Sequence, residues 1–222
     1  MIFDNLASCS ATVDNIVKNI ECKSYIQLSS IAVYRGRKME MQEEMYDVMS
    51  LKPEIEDIPL NYSSKEYGKG KRLAEAYLYQ CCKKSAVTVR IPYVSPTNRI
   101  FNYCDNIVKG IPFKVTDKSR IFTFVQAEEV GHFLPWIAAQ DYEGPINFSS
   151  EGYVSIGELI SYIEQKTGKS AIIDNSIEVN EIFREKSFSL SLDKVKSLGY
   201  STTNIRDWFW RMVDEYIVHA LK

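Results

Sequence analysis

Three stretches decide the fold: Tyr25–Tyr34 reads YIQLSSIAVY, Glu66–Leu78 reads EYGKGKRLAEAYL, and Val87–Val94 reads VTVRIPYV. Tyr25–Ser30 (YIQLSS) reads as a buried strand. From about Ser64 to Cys82, Leu73, Ala76 and Tyr77 share one face at helical spacing, which predicts a helix. Ala86–Ile91 (AVTVRI) is β-branched and apolar and predicts a second strand. Strand, helix and strand in this order predict a right-handed βαβ unit and therefore a parallel sheet.

Outward from this unit the same alternation continues. Met1-Ile2-Phe3 is apolar and β-prone, is broken by Asp4-Asn5, and reads as the tail of a strand. Ser10 is placed to cap a helix carrying Val13, Ile16, Val17 and Ile20. Residues 35–63 hold Glu40, Glu43, Glu44, Asp47, Glu54, Glu56 and Asp57 with Pro53 and Pro59, and read as a solvated acidic loop with a short helix. Connections of this length are often functional. Downstream, a helix is expected around Arg99–Lys109, closed by Gly110 and Pro112. A strand is expected over Arg120–Gln126, then a helix with Val130, Phe133, Leu134 and Ile137 that Pro135 should kink or shorten. Pro145–Ser149 reads as a strand. Ser155 and Glu158 form a capping box before Leu159, Ile160 and Ile163, with Gly168 as the stop. A strand near Ala171–Asp174, a short helix capped by Asp193 and ending at Gly199, and a last helix from about Asn204 complete the pattern. The fold class is α/β.

Composition limits what such a chain can do. Its 222 residues are 45% hydrophobic and 25% charged, close to the globular average, so disorder and collagen-like structure are excluded. Twenty-seven basic and 29 acidic residues give a net charge of −2, without the basic excess of a general nucleic-acid binder. No run of 18 apolar residues predicts a membrane span, and MIFDNLASCS has no basic n-region, so no signal peptide is expected. Five cysteines, two of them adjacent and none in C-x-x-C spacing, argue against a disulfide framework or a zinc site. They suit a reducing cytoplasm.

Tyr67 and Lys71 stand four residues apart, on one helix face. A nearby cation favours the phenolate and would let the tyrosine exchange a proton with a substrate hydroxyl. Spacing alone is weak, because Tyr34/Lys38, Tyr79/Lys83 and Tyr162/Lys166 share it. Tyr67 differs in following a strand that ends in Ser29-Ser30, and ligands of parallel sheets gather at the carboxyl ends of strands. Ser30 could donate to a substrate oxygen there, or it could be a strand-end serine that bonds its own backbone. His132 and His219 have no metal-ligand spacing around them. Trp208, Phe209, Trp210 and Tyr216 fit core positions better than a stacking platform, with Trp210 the most exposed. Cys81-Cys82 lies beside Lys83 and Lys84, where cations could lower a thiol pKa, but no catalytic histidine context accompanies it.

Taken together, YIQLSSIAVY, EYGKGKRLAEAYL and VTVRIPYV resemble the extended short-chain dehydrogenase/reductase family, the NAD-dependent epimerase/dehydratases. FTFVQAEEVGHFL (122–134) and GPINFSSEGYVSIGELISYIEQKTGK (144–169) resemble its later segments. The resemblance implies a Rossmann-like, doubly wound parallel sheet from residues 1–97 and 121–150, with a smaller mixed α/β substrate-side region from 98–120 and 151–222. It implies that Ser30 polarises the substrate oxygen and that Tyr67 is the acid/base. It further implies that Lys71 lowers the Tyr67 pKa and holds the nicotinamide ribose, and that Pro92, Tyr93 and Val94 lie near the nicotinamide. Arg120 resembles an arginine that grips nucleotide-sugar phosphates, two residues early, and could equally be a strand-edge arginine. The implied cofactor is NAD or NADP, and the implied substrate is a sugar or nucleotide-sugar.

Departures from the family pattern carry expectations of their own. The family opens with a strand, a glycine-rich turn and a helix that hold the cofactor pyrophosphate. Here Gly68 and Gly70 are the one close pair of glycines, and Leu73 stands at the third position of G-x-G-x-x-G. By resemblance Met1 falls at the family's fourth strand, so the partial sheet lacks its first strands, about 70 residues. An isolated chain of this kind is expected to bind little or no cofactor, and to aggregate, pair with a second copy or take a complementing polypeptide. A non-catalytic binding module or subunit derived from the family is the alternative reading.

Overall fold

The computed structural model describes residues 1–58, 62–82, 84–179, 181–183 and 185–222. Pro59 of the acidic connection, and Lys83 of the Tyr79/Lys83 pair and the Cys81-Cys82 cluster, lie outside the described residues. In chain order the elements are β1 (Ile2–Asp4), α1 (Ser10–Asn19), β2 (Ser24–Ser30), α2 (Ser64–Cys81), β3 (Ser85–Ile91), β4 (Tyr93–Ser95) and α3 (Asn98–Lys109). Then come β5 (Ile121–Phe122), β6 (Phe124–Gln126), α4 (Ala127–Ala138), β7 (Gly144–Asn147), β8 (Val154–Ser155), α5 (Ile156–Thr167), α6 (Asp193–Ser197) and α7 (Ile205–Ala220).

The main sheet is parallel throughout, in the order β1-β2-β3-β7. The expected βαβ unit is β2-α2-β3, with Ser24–Ser30 registered residue for residue against Ser85–Ile91. Its strands are covered on both faces, so that even the polar Gln27, Ser29, Thr88 and Arg90 are buried. Successive residues still divide between the faces: Tyr25 and Ala86 pack with Val13, Ala74 and Leu78 of α1 and α2, whereas Ile26, Val87 and Val89 pack with Phe133 and Ile137 of α4. A third cluster joins α3, α5 and α7 around Phe122, Phe124, Phe183, Phe188 and Phe209. Burying each such ring contributes about 1.5–3 kcal/mol.

Helix ends follow the sequence closely. Ser63 and Glu66 form a full capping box on α2, and Ser155 and Glu158 form another on α5. Gly110 and Gly168 end α3 and α5 in the left-handed conformation that glycine adopts without Cβ strain. Asn204 caps α7. Trp208 and Phe209 are core residues, and Trp210, the least buried of the three, stacks on Tyr162 at 4.5 Å.

Several expectations are corrected. Ser10 is the first residue of α1 rather than its cap, and its hydroxyl instead donates to the Glu54 carbonyl at 2.6 Å and accepts from Glu56 N. Asp193 likewise opens α6, with Leu192 at the cap position. Ala171–Asp174 forms a single bridge from Ile173 to Phe113 in place of a strand. Arg120–Gln126 splits into β5 and β6, which pair with different partners. α4 continues three residues past Pro135, because the Gly131 carbonyl left without its usual donor is at the exposed surface.

The acidic connection is also more than a solvated loop. Met41 and Glu43 are buried, and Glu43 Oε1 accepts from Asn147 N at 2.8 Å. Beneath it Arg90 and Glu75 form an ion pair at 2.7 Å, both fully buried. The Arg90 guanidinium also donates to the Glu43 and Tyr46 carbonyls and to Tyr34 Oη. Tyr34 Oη donates to Asn147 Oδ1, so one arginine fastens the connection across the carboxyl end of the sheet.

Candidate active site

Helix α2 reaches the carboxyl ends of β1 and β2 because two of its residues have no side chain. A Cβ on Gly68 would stand 2.8 Å from the Ala32 carbonyl oxygen. A Cβ on Gly70 would stand 2.9 Å from Ile58 Cγ2 and closer still to the Ser8 carbonyl oxygen. The paired glycines of YGKGK are therefore contact residues inside a helix, not a phosphate-binding turn.

This close approach assembles a cavity of about 350 Å³. Ser30 at the end of β2, Tyr67 in the second turn of α2, and Pro92, Tyr93 and Val94 after β3 all line it. The structure thus brings together five of the seven expected site residues. Ser30 Oγ accepts from Ala32 N at 3.2 Å, the strand-end role weighed above, while the residue still faces the cavity. Tyr62 stacks on Tyr67, with ring centroids 5.5 Å apart. Burial raises the Tyr67 pKa, the Ser30 hydroxyl works against that shift, and Tyr62 adds to it. The phenol is therefore held as a proton donor, contrary to the lowered pKa expected from the Tyr67/Lys71 spacing.

Lys71 and Arg120 are placed elsewhere. Lys71 Nζ lies 5.7 Å from the Tyr67 ring centroid and donates to the Ala7 and Leu28 carbonyls at 2.7 and 2.9 Å. Burial lowers its pKa to about 8, against the attraction of Asp4 and Glu75. It ties α2 to the loop after β1 and does not line the cavity. Arg120 pairs with Glu181 at 2.9 Å and donates to the Phe183 carbonyl at 3.0 Å, also outside the cavity lining. Of the other spaced pairs, Tyr34 serves the Arg90 clasp, and Tyr162 and Lys166 converge on Asp214 of α7. Burial pushes the Cys82 thiol up to about 11, outweighing the lowering effect of Lys84. Among the described residues no three His, Cys, Asp or Glu side chains converge as metal ligands.

Sequence reasoning missed the cavity's charged residues, Arg37, Arg99 and Glu185. Arg99 lies in the first turn of α3, stacked 4.8 Å over the Tyr93 ring and paired with Glu185 at 3.2 Å. Arg37 lies 5.5 Å from the Phe188 ring. A search for charges just beyond strand ends would have found Arg99, because β4 precedes α3 by two residues.

The residues present fit one end of a nicotinamide dinucleotide. Ser30, Tyr67 and Pro92–Val94 line a cleft of suitable polarity at the carboxyl ends of parallel strands. They do not fit the pyrophosphate. The turn after β1 reads Asn5-Leu6-Ala7-Ser8 without a glycine. Of the positive-φ glycines at 36, 110, 144, 152, 168 and 199, only Gly36 and Gly152 lie between a main-sheet strand and the next helix, each alone in its connection.

No family model matches the sequence, and no curated protein matches it. Solved structures do match. MoeE5 in complex with UDP-glucuronic acid and NAD is 20% identical with a TM-score of 0.67, over 94% of this chain and 69% of that one. UDP-glucuronic acid 4-epimerase from Bacillus cereus is 18% identical with a TM-score of 0.68, over 95% and 66%. UDP-glucose 4-epimerase from Thermotoga maritima, solved with UDP-glucose, is 14% identical with a TM-score of 0.69, over 99% and 77%. This chain therefore has the Rossmann-type α/β fold of these structures and spans 66 to 77% of their chains.

Proposed function

We propose that this chain carries the sugar-side machinery of an NAD(P)-dependent epimerase or dehydratase of the extended short-chain dehydrogenase/reductase type, acting on a nucleotide-sugar. The convergence of Ser30, Tyr67 and Pro92–Val94 on one cavity carries the reading. The sheet portion, 1–97 and 121–150, would face the nucleotide cofactor, and 98–120 with 151–222 the sugar. Ser30 Oγ hydrogen-bonds the reacting sugar oxygen. Tyr67 Oη holds the proton that moves to or from that oxygen. Lys71, bound to the Ala7 and Leu28 carbonyls, holds α2 and the Tyr67 ring in place against the sheet. A bound nicotinamide supplies hydride-transfer chemistry, and the choice of NAD or NADP lies outside the residues that line this cavity. Arg120 acts by holding Glu181 rather than by gripping phosphate.

Two further points belong to this reading. No glycine-rich turn among the described residues is assigned to the pyrophosphate. The edge of β1 away from β2 is where added strands would pair, because among the described residues β1 ends the sheet. Five free cysteines suit a reducing cytoplasm, and among the described residues no helix is long and apolar enough to cross a membrane.

Calorimetric titration with UDP-glucose tests the proposal. Saturable one-to-one binding is expected, weakened several-fold by Ser30→Ala through loss of one hydrogen bond. Absence of binding, or binding indifferent to Ser30→Ala and Tyr67→Ala, overturns it. The missing pyrophosphate turn favours a second reading, a cofactor-free binding module. Both readings expect no stoichiometric NAD(H) binding by the chain alone, and such binding would overturn that expectation.

A further inference from the structure

The cavity contains two guanidinium groups and one carboxylate, and the carboxylate is committed. Both Glu185 oxygens lie 3.2 Å from Arg99 Nη1. Arg99 also donates to the Ile182 carbonyl at 3.1 Å and lies over the Tyr93 and Phe183 rings. Arg37, the second guanidinium of the lining, donates to the Ile31 carbonyl and lies over the Phe188 ring. The segment that carries Glu185 also holds Arg120 through Glu181.

We propose that Glu185 sets the sugar's permitted charge: by occupying Arg99 it makes this cavity take a neutral hexose on the nucleotide and reject the corresponding uronic acid. This rests on the nucleotide-sugar reading above. A sugar carboxylate approaching Arg99 meets a carboxylate already in place, and like charges in a partly desolvated site repel. Displacing Glu185 would leave it without its cation at 22% side-chain exposure. A hydroxymethyl group incurs neither cost. The fold itself accommodates both kinds of ligand, since its relatives have been solved with UDP-glucuronic acid and with UDP-glucose. The discrimination therefore resides in side chains.

The experiment is paired calorimetric titration of the full chain with UDP-glucose and UDP-glucuronic acid. Wild type is expected to favour UDP-glucose at least tenfold, about 1.4 kcal/mol. Glu185→Gln frees Arg99 and should shift that ratio at least tenfold toward UDP-glucuronic acid, with the gain reduced by added salt. The double variant Arg99→Gln/Glu185→Gln removes both charges and should cancel the gain seen in Glu185→Gln, giving a ratio between those of the single variant and wild type. An unchanged ratio in Glu185→Gln overturns the inference. So does a wild-type preference for UDP-glucuronic acid, a result that stands even if the single variant fails to fold. If wild type binds neither ligand, the nucleotide-sugar reading fails and takes this inference with it; if it binds both equally, the charge selection alone fails.

Discussion

Gly70 and Gly131 are both helical and both lack positive φ, yet replacing each with alanine should move stability in opposite directions. In a helix interior, alanine is favoured over glycine by about 1 kcal/mol. At Gly131 the new Cβ meets nothing within 4 Å, so that gain should appear nearly whole, as about 0.5–1 kcal/mol of added stability. At Gly70 the Cβ would stand 2.9 Å from Ile58 Cγ2 and nearer to the Ser8 carbonyl oxygen, a backbone atom that cannot swing aside. Relieving the clash requires α2 and the loop after β1 to separate. Overpacking typically costs about 1–3 kcal/mol, and a clash with a fixed backbone atom belongs to the upper part of that range, about 2–3 kcal/mol, so after the propensity gain of about 1 kcal/mol about 1–2 kcal/mol of net destabilisation remains. The separation also stretches the 2.7 Å bond from Lys71 to the Ala7 carbonyl, next to Ser8. Urea unfolding of the two variants and wild type measures both changes at unaltered m. A Gly70→Ala protein as stable as Gly131→Ala would refute the claim that this glycine exists for close approach.

Other perturbations follow from the same contacts. Glu75→Gln leaves Arg90 buried without its anion and should cost about 3–5 kcal/mol; a loss below about 1 kcal/mol in urea would mean that the clasp is not held by this pair. Lys71 has a folded pKa near 8 against about 10.4 in the unfolded chain, so between these values the unfolded state binds more protons and stability rises with pH. The stability difference between wild type and Lys71→Met should therefore grow in favour of wild type by about 3 kcal/mol from pH 7 to pH 10.5, and a flat difference contradicts the buried, carbonyl-bound lysine.

The fold was readable where one local signal sufficed. β2, α2 and β3 announced themselves because Tyr25, Ile26 and Leu28 and the β-branched Val87-Thr88-Val89 mark strands, and because helix starts and stops use few residue types. The segment at Ala171–Asp174 has strand-like composition but meets just one partner residue, and composition does not encode partners. Ser30 was readable as a candidate because strand ends in a parallel sheet share one edge, whereas Pro92–Val94 came from the family resemblance alone. The direction of Lys71 was not, because helical spacing places it near Tyr67 but does not say that the Ala7 and Leu28 carbonyls hold its ammonium. The Tyr67 pKa went the other way for a related reason: spacing reports a neighbouring charge, whereas burial depends on the whole cavity wall. Arg37, Arg99 and Glu185 come from three distant segments that only tertiary structure brings together.

The central claim is that the cavity between Ser30 and Tyr67 is where a nucleotide-sugar is held. The direct measurement is a crystal structure of the chain with UDP-glucose. The account predicts a pyranose in that cavity, with a ring hydroxyl within hydrogen-bond reach of both Ser30 Oγ and Tyr67 Oη. Density elsewhere, such as the groove formed by Pro96, Gln126, Trp208 and Arg211, with the Ser30–Tyr67 cavity empty, would contradict it.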